Sequence, residues 1–263
     1  MTGDWVTDIM PDSEQIMEVD WPAPACVKAV QTLRNSGPDL TGYSGFNLAF
    51  HVGDDTSRVA NNRADLASRI RLPASDIMWL NQVHSNRLVE WQSGATIDAD
   101  GCYTHLGKKA CAVMTADCLP VLICNSAGTR VAAVHCGWRG LAGGILQNAL
   151  AAFAADDNLL VWLGPAISVR HFEVGGDVYQ AFASQSDRFD LAFRRVEGGA
   201  ASGTEQKWMA DLCEIARIIL SQEGVDSVYG GLHCTFSEPE RFYSYRRDRV
   251  TGRMATLIWI DLS

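Results

Sequence analysis

The chain has 263 residues, 47% of them apolar, which is enough to bury the core of one large domain or two small ones. Its 22 basic and 31 acidic side chains give a net charge of −9, and no basic run extends beyond Arg246, Arg247 and Arg249. A nucleic-acid backbone or an anionic membrane surface is therefore disfavoured as a partner.

Eight cysteines would suit a disulfide framework in a small secreted chain, but this one is long, and its acidic first residues lack the apolar stretch of a secretory signal. The thiols are expected to be reduced and the protein cytoplasmic. No apolar run approaches the ~20 residues of a spanning helix. Without repeats or linkers, the expected organisation is a flexible N-terminal segment over 1–20, frayed to about Asp12, and one domain over 21–263.

Cys26 to Leu33 alternates as a strand, and Asn35 to Gly45 reads as a loop. Asp55, Thr56 or Ser57 caps a helix to about Ile70, carried by Val59, Arg63, Leu66 and Ile70. A strand follows at Ile77 to Leu80, then NQVHS, and DADG places Asp98 and Asp100 in a turn. Ala112 to Cys124 and Arg130 to Cys136 form a hairpin closing at Asn125 to Thr129, with His135 opposite Pro120 and Cys118 on the same face as His135. Such diagonal neighbours have Cα atoms roughly 7–8 Å apart.

Leu141, Ile145, Ala149 and Phe153 then mark one amphipathic helix, and Leu159 to Leu163 a buried strand. Gly175-Gly176-Asp177 opens a helix to about Ser184, Ser186 to Gly203 is a polar surface excursion, and Trp208 to Gln222 is a helix capped at Gly224. The C-terminal stretch reads as a hairpin turning at Thr251-Gly252. Hairpins as frequent as crossovers point to an α+β fold with mixed sheets.

Three readings of His84, Cys118 and His135 stay open on residue chemistry alone. They could hold Zn²⁺ with one position left for water. Cys118 could instead be a nucleophile with His135 as its base. Or Cys118 could be a small core residue and the histidines hydrogen-bonded at strand ends. Asp117 and Asp100 are candidate acid/base or supporting groups. Arg139, Arg34, Arg63 and Arg246 offer guanidinium forks for phosphate or ribose. Gly143-Gly144 is no dinucleotide fingerprint, because GxGxxG is absent.

NLAFHVGDD, NNR, NQVHS, DADGCY, MTADCLPVL, AAVHCGWRGL, WLGPAI, FEVG, SYRRD and TGR, in that order from about Trp21 to Ile260, resemble the YfiH/laccase-domain family in its proteobacterial branch. This is also called the multicopper polyphenol oxidase family. The resemblance implies one layered domain of mixed sheets flanked by helices and a zinc held by His84, Cys118 and His135. It implies phosphorolysis of adenosine, inosine, guanosine and methylthioadenosine, and deamination of adenosine.

On that reading Asp117 or Asp100 moves protons, Asn47, Gln82, Arg139, Arg34 and Arg246 contact substrate, and the partners are purine nucleosides and phosphate. A monomer or weak dimer is expected. Copper oxidation of phenols is the alternative, disfavoured because multicopper centres need more histidines than the six present. A hydrolase editing cell-wall precursors is a further one. Cys136 stands where the family usually has alanine and Ser85 where it has glycine, and the loop after Arg34 departs from the usual run.

Overall fold

The computed structural model describes residues 15–34, 42–94, 96–155, 157–197 and 206–262. Its architecture follows from strands that are apolar on both sides. In Ala110–Thr115, Cys111 and Val113 face one way and Ala110, Ala112 and Met114 the other, and all are buried. Such a strand needs cover on both faces.

The outer cover is the helix Thr56–Arg69, whose Leu66 and Ala67 pack on Ala112, Met114, Ala255 and Leu257. Asp55 caps this helix by accepting the Arg58 N–H at 2.8 Å. The inner cover is a second sheet. Leu122, Cys124, Val131, Ala133 and Trp162 share one core with Cys111, Val113 and Ile258. Beyond the second sheet, Leu119, Val121, Ile123, Ala132 and Val134 pack under Leu141, Ile145, Phe182, Ile215 and Ile219 from the helical layer. The expected α+β fold of layered mixed sheets flanked by helices is present.

The outer sheet has five strands in the order Ile16–Glu18, Val27–Thr32, Met254–Ile260, Ala110–Thr115, Ile77–Met78. The inner sheet has six, in the order Val228–Gly230, Leu159–Leu163, Leu119–Asn125, Val131–Cys136, Gly101–Thr104, Leu88–Glu90. Both mix parallel and antiparallel pairs. Among the described residues no helix is long and apolar enough to cross a membrane.

The hairpin register is as expected, with His135 opposite Pro120. Ala112 to Cys124 is not one strand, however. The chain leaves the outer sheet after Thr115 and enters the inner one at Leu119, turning at Asp117, whose φ is +102°. Burial on both sides of the turn kept the run apolar, so periodicity could not show the break.

Other expectations are corrected for similar reasons. The helix over Leu141 to Phe153 is two helices, Trp138–Ala142 and Ile145–Leu150, broken at Gly144, where φ is +88°. The C-terminal stretch is no hairpin: a short helix, Tyr245–Asp248, precedes Met254–Ile260, which lies in the middle of the outer sheet between Val27–Thr32 and Ala110–Thr115. Trp208–Ala210 is a strand, and the helix starts at Leu212 with Asp211 as its cap.

The stretch from Ser186 is no simple surface excursion, since Phe189, Ala192 and Phe193 are buried. Its end, 198–203, lies outside the described residues, as do 1–14 and 35–41. The supposed flexible segment over 1–20 contains the strand Ile16–Glu18, paired with Val30 to Thr32.

Leu122 is fully buried between the sheets and lies opposite both Ala133 and Trp162. Leu122→Ala is expected to cost about 2–5 kcal/mol, read as a lower urea midpoint. A loss below about 1 kcal/mol would place the core elsewhere.

Candidate metal centre

The site forms where the hairpin's inner end meets the loop after Asn81. His135 is the penultimate residue of Val131–Cys136, and Cys118 immediately precedes Leu119–Asn125. His84 comes from the loop, with a left-handed φ of +58°. One donor atom from each residue lies within 4.8 Å of the other two. His84 Nε2 is 3.9 Å from Cys118 Sγ, and the two imidazoles meet edge to face with centroids 4.8 Å apart.

Asp100 sets this geometry. Its carboxylate accepts from His135 Nδ1 at 2.8 Å, from the backbone N–H groups of His84 at 3.0 Å and Ser85 at 2.6 Å, and from the Ser85 hydroxyl at 2.7 Å. A carboxylate only accepts, so His135 donates from Nδ1 and turns Nε2 toward Cys118. The same oxygens hold the loop that carries His84. Ser85, where glycine is usual in the resembled family, adds a donor that glycine lacks.

Gly137 supplies room. A Cβ there would lie 2.9 Å from His84 Cδ2, 3.3 Å from Cys118 Sγ and 3.7 Å from His135 Cε1. Two imidazole nitrogens and one sulfur, converging beside an open cleft and backed by a buried carboxylate, fit a tetrahedral N/S-liganded cation with one position free.

The charges agree with this. Burial raises the Cys118 thiol, but the His135 charge and hydrogen bonds to His135 and His84 hold it down at about 6. Burial lowers His135, yet the Cys118 thiolate and Asp100 hold it up at about 9. Burial likewise raises Asp100, and the bonds from His135 and Ser85 bring it down to about 2. Without a metal the pair is thiolate and imidazolium. A metal held by these residues would displace a proton from His135, so its affinity is expected to rise with pH toward about 9.

The three residues sit in the wall of a cleft of about 450 Å³, also lined by Gln82, Met114, Thr115, Asp117, Ile167, Phe172, Tyr245 and Arg246. Gln82 reaches it while its amide clamps both backbone groups of Met114. Asp117 reaches it too, but its oxygens accept from Thr235 Oγ and the Arg246 N–H, both at 2.6 Å.

Three expected contact residues lie outside the lining. Asn47 is fully buried, and its amide bonds Ala49, Asp54 and the Arg253 N–H. Arg139 is exposed and lies over the Trp138 ring, 4.3 Å from its centroid. Arg34 pairs with Asp248 at 3.6 Å. His51 and Arg253 do line the cleft. Both stand inside recognisable motifs, NLAFHVGDD and TGR, but nothing in the spacing tied them to His84.

Two outcomes follow from this geometry. Gly137→Ala keeps an ordinary φ of −70° while crowding all three donors, so it is expected to fold normally yet lose bound metal in elemental analysis. In chelator-treated protein, alkylation of Cys118 should follow the thiolate and rise with pH through about 6. A midpoint near that of an ordinary thiol would contradict the pairing with His135.

A Pseudomonas aeruginosa protein named purine nucleoside phosphorylase is 45% identical over 243 residues, 92% of this chain and 97% of that protein. The Escherichia coli purine nucleoside phosphorylase YfiH is 44% identical over 243 residues, 91% and 96% of the two chains. Among solved structures, a Neisseria meningitidis protein superposes with a TM-score of 0.85 at 49% identity, covering 94% of this chain and all of that one. YlmD from Geobacillus stearothermophilus gives 0.84 at 28% identity, covering 96% and 98%. Residues 28–261 match the family model described as multi-copper polyphenol oxidoreductase laccase, and with these relatives the chain belongs to that YfiH-type family.

Proposed function

We propose that the protein is a zinc-dependent purine nucleoside phosphorylase acting on adenosine, inosine, guanosine and methylthioadenosine, which also deaminates adenosine, and that it works in the cytoplasm. The observation carrying this reading is the convergence of His84, Cys118 and His135 on the wall of a cleft of about 450 Å³. That volume suits a small-molecule substrate. The names of relatives at 44–45% identity support nucleosides and phosphate as the substrates.

Bound at His84, Cys118 and His135, zinc would supply Lewis acidity at the cleft wall. The protein's own groups do the positioning. Asp100 keeps the His135 Nδ1 proton in place, so Nε2 stays available as a donor. Ile167, Phe172 and Met114 give the cleft apolar surface for a purine base. Asp117 anchors the backbone of Arg246, whose guanidinium donates to the Glu173 carbonyl and lies 5.4 Å from the Phe172 ring centroid.

We assign Asp100 and Asp117 to positioning rather than proton transfer, because their oxygens already accept from His135, Ser85, Thr235 and Arg246. Copper chemistry of the kind in the family's description would need further ligand clusters. Among the described residues His84, Cys118 and His135 are the one such group.

Incubation with inosine should release hypoxanthine only when phosphate is present. Hypoxanthine that never appears, or appears equally well without phosphate, would overturn the phosphorylase reading. Asp100→Asn is expected to cost about 10- to 100-fold in metal affinity or turnover. Unchanged metal content and rate in that variant would remove Asp100 from the site.

A further inference from the structure

Two arginines, Arg246 and Arg253, line the cleft, and Arg63 acts electrostatically on its His51. Among the described residues, none of Arg63, Arg246 and Arg253 forms an ion pair with a carboxylate. Arg63 is enclosed by aromatic rings, with its guanidinium carbon 3.9 Å from the Trp79 centroid and 4.6 Å from that of Phe50. Its Nε donates to the Leu48 carbonyl at 2.8 Å. Burial alone brings it down to about 10. Enclosed charge without a counter-ion is costly, and a neutral nucleoside supplies none.

Arg253 shares the cleft lining with the three metal-ligand candidates. Its backbone N–H is held by Asn47 Oδ1 at 2.9 Å, and its Nη1 donates to the Thr251 and Gly252 carbonyls, both at 2.9 Å. Among the described residues Nε and Nη2 have no hydrogen-bond partner. Two donors on one planar fork suit two oxygens of a tetrahedral oxyanion. His51 shares the lining, and partial burial with the charges of Arg253 and Arg63 pushes its pKa down. A neutral imidazole offers one donor and one acceptor, which matches a phosphate still carrying a proton.

We propose that Arg253 and His51 form the inorganic-phosphate subsite of the cleft, with Arg63 as the fixed charge behind it. The assignment rests on the phosphorolysis reading for its choice of anion. Of the arginines suggested by the sequence it keeps only Arg63, as background charge: Arg34 and Arg139 lie outside the cleft, Arg246 is turned to Phe172 and Glu173, and Arg253 is added.

The test is titration calorimetry of the zinc-supplemented full chain with inorganic phosphate, beside steady-state KM values for phosphate and inosine. Arg253→Gln should weaken phosphate about tenfold or more, the worth of a charged hydrogen bond, while KM for inosine stays within about twofold. Arg253→Lys, which keeps the charge and loses the fork, should fall between, and it carries the test if the Gln variant melts.

Wild-type protein that binds no phosphate, variants with unaltered phosphate affinity, or equal weakening of phosphate and inosine would each overturn the assignment. So would Arg253-dependent binding of inosine 5′-monophosphate with none of inorganic phosphate. Arg253-dependent phosphate binding without any phosphorolysis would keep the subsite and discard the activity. Phosphorolysis indifferent to both variants would do the reverse.

Discussion

The carboxylate of Asp100 is the constraint on which the site depends. It has no exposure to solvent, so its charge is tolerable only because donors surround it. Those donors come from the loop at His84 and Ser85 and from the strand residue His135. The backbone joins in: the Asp100 carbonyl accepts the His135 N–H at 2.6 Å, and its own N–H donates to Arg87 at 3.0 Å. One buried charge thus fixes the tautomer of one ligand, the unusual φ of another, and the distance between the segments that carry them.

The scaffold supplies the third ligand through a change of sheet. Between Thr115 and Leu119 the chain crosses from the outer to the inner sheet, and Cys118 is the last residue of that crossing. Asp117 makes the crossing possible at a φ of +102°, with its side chain tied to Thr235 and Arg246 and its carbonyl accepting from Ile167. The acid next to the ligand therefore serves the backbone. Its strain is held by Thr235, Arg246 and Ile167, the last two of which line the cleft.

Much of this was legible in the chain. Alternation and turn chemistry placed the hairpin register through His135 and Pro120 correctly, and of the cap candidates Asp55, Thr56 and Ser57 the helix uses Asp55. The failures share a cause. Where a strand is covered on both faces, apolarity runs on through its end, so the break at Ala116 to Cys118 left no periodic mark. The C-terminal strand looked like half of a local hairpin because its partners, Val27–Thr32 and Ala110–Thr115, are remote in sequence. Site polar groups were harder still. Asn47 and Arg253 are neighbours through a hydrogen bond from the Arg253 backbone N–H to Asn47 Oδ1, across 206 positions, and only the fold shows which of the two faces the cleft.

The two histidines differ in how they are held. His135 is 4% exposed and built into a strand, whereas His84 is exposed and sits on a loop at positive φ. The donor set is therefore asymmetric: Cys118 and His135 are set at the end of the inner sheet, and His84 stands at the solvent boundary with its backbone pinned by Asp100. The centre consequently has one face in contact with solvent, formed by a single imidazole, and one face walled by the sheet.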